Sequence, residues 1–270
     1  MKTDDWLKAS TARLKAAGVD SARLDCLILL EDATGKDRSW LLAHLEHELS
    51  NTEVQALEQS LNQREHHMPI AYIRGRSEFY GRDFILDEHV LVPRPESEAF
   101  FDLLRTIPLA GASSMVDVGT GSGALAITAK LEFPEAQVYA TDIDEACLGI
   151  AHSNANALHA DVNFVRADLL EPLDNRSLSP SVDIVIANLP YVPEAYPINA
   201  AAAHEPKLAL FAGEDGLDLY RQLFTQLDSR DVRWLLCESL TEQHLALAQL
   251  AGRHGYRLRS TSGLIQLFTK

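Results

Sequence analysis

Apolar residues in the first part of the chain recur at intervals of three and four: Leu24, Leu27, Ile28 and Leu30, then Leu41, Leu42, Leu45 and Leu49, then Val54, Leu57 and Leu61. That spacing puts them on one face of a helix. From Asp4 to about Tyr72 it predicts a small helical bundle, broken at Gly18-Val19-Asp20, Thr34-Gly35-Lys36-Asp37 and Ser50-Asn51-Thr52. Asp37 and either Asn51 or Thr52 are the expected N-caps of the helices that follow.

The texture changes between Ile73 and Val92. Phe79, Tyr80, Phe84, Ile85, Leu86, Val90, Leu91 and Val92 are punctuated by Gly75, Gly81 and Asp87-Glu88, which predicts a β-hairpin linking two domains. Beyond it, strand and helix signals alternate. Strands are expected near 115–118, 137–141, 162–165, 182–187 and 232–237, and helices near 123–132, 144–157, 217–228 and 241–253. Such alternation implies an α/β fold, a mostly parallel sheet covered on both faces, and a last pair near 256–260 and 264–268 would complete it with antiparallel strands. The expected domains are 1–72, a helical bundle; 73–92, a hairpin linker; and 93–270, the α/β domain.

Composition narrows the class. A chain of 270 residues with 46% hydrophobic side chains can bury one large core or two modest ones. No apolar run approaches the roughly 18 to 20 residues that span a bilayer, and "MKTDDWLKAS" is too acidic and polar for a signal peptide. The expectation is a cytoplasmic protein. The three cysteines, Cys26, Cys147 and Cys237, are odd in number and far apart, so they predict reduced core residues and no thiolate metal site. A net charge of −15 disfavours stable, sequence-blind nucleic-acid binding, which draws its affinity from clustered cations. Arg74, Arg76 and Arg82, with Arg64, His66 and His67 before them, are the one stretch that would form a local positive surface.

Two motifs carry chemistry. "MVDVGTGSGALAI" (115–127) is an apolar strand, a glycine turn and a helix. Gly119, Gly121 and Gly123 permit a tight turn close to a ligand, and Asp142, at the end of the next strand, can hold ribose hydroxyls. Asp117, at the end of the first strand, offers a carboxylate to a cationic amino group, which favours S-adenosylmethionine over NAD. Asp168 in "VRADLL" ends the third strand and can accept an adenine amino group, although an Asp there is more often a helix cap.

The second motif is "IANLPYV" (186–192), at the end of the fourth strand. In a doubly wound sheet its Asn188 faces the same crevice as Gly119. A planar, conjugated amino group is a poor nucleophile, and a site that methylates it needs acceptors for its two N–H bonds. The Asn188 side-chain oxygen and the Leu189 carbonyl supply them. Tyr191 then covers the planar group and excludes water. His204 and Glu205 are candidate bases by position only, and both are expected to be structural.

The helical bundle, "GRSEFYGRDFILDEHVLVPRPESE" (75–98), "VDVGTGSG" (116–123), "NLPY" (188–191) and "HEPKLALFAGEDGLDLYRQL" (204–223) together resemble the protein-(glutamine-N5) methyltransferases, specifically the release factor glutamine methyltransferase family. The resemblance covers nearly the whole chain. It implies a seven-stranded class I, Rossmann-like methyltransferase domain that uses S-adenosylmethionine to modify the glutamine of the Gly-Gly-Gln loop in peptide chain release factors. The helical domain would recognise the release factor. The same implication assigns Asp117, Gly119, Thr120, Gly121, Ser122, Gly123, Asp142, Asp168, Leu169 and Asn188 to the cofactor. Asn188, Leu189, Pro190 and Tyr191 would hold the substrate, with Asn188 and Tyr191 catalytic, and Arg94 and Glu96 would close the pocket. No metal and no membrane is implied.

Three departures from the family stand out: Leu189 replaces the first proline of Asn-Pro-Pro-Tyr, Leu169 stands where an aromatic residue is common, and "STSGLIQLFTK" lacks the usual charged loop. Pro190 still biases Leu189 toward extended geometry, so activity is expected to survive with a free N–H gained. Glutamine methylation of a ribosomal protein and amino-methylation of adenine in nucleic acid are the alternative readings, since an exocyclic base amine poses the same chemical problem.

Overall fold

The computed structural model describes residues 1–108, 113–171 and 182–270. They form two compact units: Met1–Gly75 with Ile198–His204, and Arg76–Pro197 with Glu205–Lys270.

The first unit is helical, with helices Thr3–Ala16, Ala22–Thr34, Arg38–Ala43, Asn51–Glu65 and Ile70–Arg74. Trp6, Leu14, Cys26, Leu30, Leu41, Leu57 and Leu61 form its core. Asp37 caps the third helix, accepting from the Trp40 N–H at 2.8 Å. The next cap is Ser50 rather than Asn51 or Thr52. Ser50 has a glutamate three residues on, and the two close a reciprocal pair, Glu53 N–H to Ser50 Oγ at 3.2 Å and Ser50 N–H to Glu53 at 2.7 Å. The third helix ends at Ala43, so Leu45 and Leu49 lie beyond it, and Leu24 and Leu42 are exposed.

The arginines between residues 64 and 82 are matched by carboxylates within their own units. Arg64 is buried against Asp25 at 2.7 Å, Arg74 pairs with Asp32 at 2.7 Å and Arg82 with Glu132 at 2.7 Å, and Arg76 faces Asp83 at 3.7 Å. Each guanidinium meets a carboxylate, in keeping with the acidic composition.

The second unit opens with a hairpin shorter than the sequence suggests: β1 (Arg76–Phe79) and β2 (Arg82–Ile85). The apolar residues to Val92 are not strand. Asp87 accepts the His89 N–H at 2.9 Å and its carbonyl takes the Val90 N–H, an Asx turn that stops the strand. Residues Ile73 and Arg74 belong to a helix instead.

The main sheet comprises β3 (Ser114–Val118), β4 (Gln137–Asp142), β5 (Asn163–Arg166), β6 (Ile184–Ala187), β7 (Trp234–Glu238), β8 (Arg257–Ser262) and β9 (Ile265–Thr269), in the order β5-β4-β3-β6-β7-β9-β8. Strands β3 to β7 are parallel, and β9 is antiparallel to both β7 and β8. Every residue of β3, β6 and β7 is buried, as covering on both faces requires. Alternate residues serve opposite layers: Met115, Ile184 and Ile186 join Phe100 and Ile127, whereas Val116, Val185 and Ala187 join Leu223, Phe224 and Leu247. The chain winds outward from β3 to β5 and then returns to lay β6 on the free side of β3. This reversal opens a crevice at the carboxyl ends of β3 and β6.

Candidate active site

The glycine turn follows β3. The N–H groups of Gly119 and Thr120 both reach the Thr141 carbonyl, at 2.9 and 2.8 Å, which ties the turn to the end of β4. Gly119 has φ +73°, and a Cβ there would come within 3.0 Å of Leu189 Cδ2. A Cβ on Gly123 would meet Ile127 at 2.9 Å and Ala151 at 3.1 Å, so this glycine serves close packing of helix Ala124–Glu132 against helix Glu145–Ala157. Above Gly121 nothing lies within 4 Å of the position a Cβ would take.

Two carboxylates border the turn. Asp142 Oδ2 accepts the Gly121 N–H at 2.9 Å and Oδ1 the Asp144 N–H at 3.0 Å, and burial raises its pKa. Each oxygen keeps a lone pair for a hydroxyl. Asp117 is buried, and its Oδ2 accepts from Thr120 Oγ1 at 2.6 Å and the Ala126 N–H at 3.2 Å. Burial pushes its pKa up to about 7. The open space over Gly121 and the Asp142 carboxylate beside it suit an adenosyl group.

Asn188 follows β6, whose last residue, Ala187, is in register with Val118 of β3. The contact between Leu189 and Gly119 therefore joins the two motifs physically. Leu189 is buried in the layer with Val118 and Tyr220. The Tyr220 hydroxyl lies 3.0 Å from the Ala187 carbonyl and 2.5 Å from that of Glu238, bracing the ends of β6 and β7. Burial pushes the Tyr220 phenol up, opposed by the backbone amide of Leu189.

Tyr191 is held at both ends. Its carbonyl accepts from Gln243 Nε2 at 2.7 Å, and its hydroxyl donates to Glu238 Oε1 at 2.9 Å. A Cβ on Gly216 would sit 2.1 Å from that carbonyl, so only glycine fits there. Val192 is bonded on both sides, its N–H to Leu210 at 2.8 Å and its carbonyl to the Ala212 N–H at 3.1 Å. These contacts explain the long "EPKLALFAGEDGL" stretch: it buttresses the loop.

Ser97 and Glu238 were not singled out by the sequence. Ser97 Oγ donates to Glu238 Oε2 at 2.6 Å and accepts from Asn188 Nδ2 at 3.1 Å. Both residues are buried, and burial raises the Glu238 pKa. Ser97 sits on a 3₁₀ turn, Pro95–Glu98, leading into helix Ala99–Leu104. One signal for Glu238 was present, an acidic residue closing the apolar run "WLLCE" at the carboxyl edge of the sheet.

The other named residues sit as follows. Thr120 and Ser122 are buried, and Asp168 is exposed. Leu169 is buried with φ +56°, and its carbonyl accepts from Thr141 Oγ1 at 2.8 Å. Pro190 is half-buried. Arg94 pairs with buried Glu205 at 2.5 Å, and Glu205 also takes the Val92 N–H at 3.2 Å. Glu96 lines a cleft of about 610 Å³ with Tyr80, Glu98, Asp102 and Thr241, and neither the glycine turn nor Asn188 borders it. His204 lies 2.8 Å from the His66 carbonyl, within the first unit. Glu205 and His204 thus have the structural partners expected of them. Among the described residues no group of three or more His, Cys, Asp or Glu side chains is placed to hold a metal, and no helix is long and apolar enough to cross a membrane.

Comparison with known proteins gives the same picture. Residues 5–75 match the family described as PrmC N-terminal domain and residues 99–205 the methyltransferase small domain. The chain is 36% identical over 220 residues to the release factor glutamine methyltransferase of Enterococcus faecalis, covering 80% of this chain and 77% of that one. It is 36% identical over 229 residues to that of Bacillus subtilis, covering 82% and 78%. Among solved structures, a methyltransferase from Pyrococcus furiosus is 18% identical with a TM-score of 0.51, covering 82% of this chain and 99% of that one, a likeness of fold alone. With relatives this similar over four-fifths of its length, two matched domains and a doubly wound seven-stranded sheet, the chain belongs to the release factor glutamine methyltransferase family.

Proposed function

We propose that this enzyme transfers a methyl group from S-adenosylmethionine to the side-chain amide nitrogen of the glutamine in the Gly-Gly-Gln loop of peptide chain release factors, in the cytoplasm. The observation that supports the reading is the close approach of Leu189 to Gly119, where an added Cβ would come within 3.0 Å of Leu189 Cδ2, so that the loop after β6 packs beside the glycine turn. When bound, the cofactor supplies an electrophilic methyl group on a sulfonium. Asp142 would take its ribose hydroxyls and Asp117 its ammonium. Thr120 through Gly123 would line it, and Asp168 and Leu169 would flank the adenine.

Asn188 Oδ1 and the Leu189 carbonyl would accept the two N–H bonds of the glutamine amide, fixing its plane so that the nitrogen lone pair faces the methyl group. As positive charge develops on nitrogen, the same two oxygens stabilise it. Tyr191, held by Glu238 and Gln243, keeps water from the amide. The methylated nitrogen would give up one of its protons to solvent water as the product leaves the loop, the cofactor departing as its neutral thioether. Arg94, anchored by Glu205, would border the substrate's entry, and the helical unit would bind the body of the release factor.

The test is transfer of labelled methyl to release factor, ribosomal protein and DNA side by side, with peptide mass spectrometry of the products. Methyl on one release-factor glutamine is expected. Label confined to DNA or ribosomal protein overturns the proposal. Asn188→Ala should leave only a residual, single-turnover rate of transfer while calorimetry finds cofactor binding intact; collapse of that binding would make Asn188 a cofactor ligand first.

A further inference from the structure

Asn188 can serve a substrate amide only one way round. A side-chain amide has an acceptor end and a donor end, and turning it by half a revolution about its last bond exchanges them. With the oxygen toward the substrate it accepts an N–H. With the nitrogen there, it opposes donor to donor. Shape alone separates the two poses poorly, because oxygen and NH₂ are similar in size.

The surrounding groups break this symmetry. Glu238 accepts at both oxygens, from Ser97 Oγ at 2.6 Å and from the Tyr191 hydroxyl at 2.9 Å, the pattern of a carboxylate that offers no proton of its own, so the one proton of Ser97 is given to it. The Ser97 oxygen is then left with lone pairs alone, and the group 3.1 Å away has to be the NH₂ of Asn188. Tyr191, donating to the other Glu238 oxygen at 2.9 Å, leaves the carboxylate no reason to turn. Ser97 and Glu238 are both nearly inaccessible, at 3% and 1% exposure, so water cannot substitute as donor.

We propose that Ser97, its hydroxyl polarised by Glu238, is the positioning residue that turns Asn188 so that Oδ1 faces the substrate. This deepens the methyltransferase reading and rests on it. Ser97 touches no reacting atom. Its effect passes wholly through Asn188, which distinguishes it from a residue that merely supports the Pro95–Glu98 turn.

The test compares Ser97→Ala with the wild type in the full chain. We expect kcat for methyl transfer to fall ten- to a hundredfold, with the cofactor Kd unchanged within twofold. In an Asn188→Ala background, followed as single-turnover transfer over hours, Ser97→Ala should cost less than twofold more, because no amide remains to orient. Nuclear Overhauser contacts between the Asn188 Nδ2 protons and the Cβ protons of residue 97 provide a readout without substrate: present in the wild type, lost in Ser97→Ala as the amide turns. The same contacts to the alanine methyl, an unchanged kcat, or an undiminished loss in the Asn188→Ala background would each overturn the proposal. A wild-type protein that does not methylate release factor would refute the functional reading instead, and the Overhauser contacts would still decide the role of Ser97.

Discussion

Replacing Asp117 with asparagine should change how stability depends on pH. The carboxyl is fully buried beside the glycine turn, and its pKa rises from 3.8 to about 7, first because burial penalises the charge. In the unfolded chain it ionises near pH 4. Between those values the folded state holds a proton that the unfolded state has lost, so stability falls as pH rises. The contribution is fully present below pH 3.8 and gone above about 7. At 1.36 kcal/mol per pKa unit the loss is about 4 kcal/mol in all, with about 3 kcal/mol of it between pH 5 and pH 8. The substituted amide cannot titrate. It keeps the acceptor that Thr120 and Ala126 use, but adds a buried N–H that costs about 1 to 3 kcal/mol at every pH if unpaired. Urea unfolding of both proteins without cofactor at pH 5, 6, 7 and 8 gives the difference directly. The variant should gain about 3 kcal/mol on the wild type across that range, most of it before pH 7. Parallel curves would show that Asp117 ionises normally and refute the reasoning. If this carboxylate receives the cofactor's ammonium, cofactor affinity should also rise about tenfold per pH unit up to pH 7 and then level off.

Leu189→Ala should cost about 3 kcal/mol, since a buried side chain leaves a cavity, and weaken cofactor binding because Gly119 loses its floor, read by denaturation and calorimetry. Gly119→Ala should cost about 1 to 2 kcal/mol from its positive φ plus the contact with Leu189, and the double variant should lose measurably less than the sum of the two. Additive losses would mean the contact is slack. Glu205→Ala should destabilise the protein by about 3 kcal/mol, because it strips a buried acceptor from Arg94 and the Val92 N–H; less than about 0.5 kcal/mol in thermal unfolding would make that pair ornamental. Finally, if the helical unit binds the release factor, a short peptide carrying the Gly-Gly-Gln loop should show a much higher KM than the intact factor at similar kcat. Equal KM values would leave that unit without the role.

What the sequence disclosed and what it hid follow from the range of the interactions. The glycine turn and "NLPY" were legible because each is a local response to a sharp chain reversal after a buried strand. The strands of the sheet were legible because fully buried β segments are short, apolar and bounded. Ser97 was not: its partners Glu238 and Asn188 are 141 and 91 residues away, and only closure of the sheet brings them together. In "PRPESE" the charged Arg94 and Glu96 are the conspicuous side chains, yet the small hydroxyl between two glutamates is the one that reaches the amide. The hairpin was overextended for the converse reason. Leu86, Val90 and Val92 are buried although they lie outside the register of β1 and β2, and an apolar run signals burial before it signals strand.

The return of the chain to place β6 beside β3 has a consequence for how the protein acquires its activity during synthesis. Until residue 187 has been made and paired, β3 has an open edge on one side and the glycine turn has no Leu189 beneath it. A ribosome-bound chain ending at β5 would contain the whole glycine motif yet lack Leu189, which packs beside Gly119 in the finished protein. Pairing of β6 with β3, which is distant from it in sequence and so costs chain entropy before the contact forms, brings the two motifs of the crevice together.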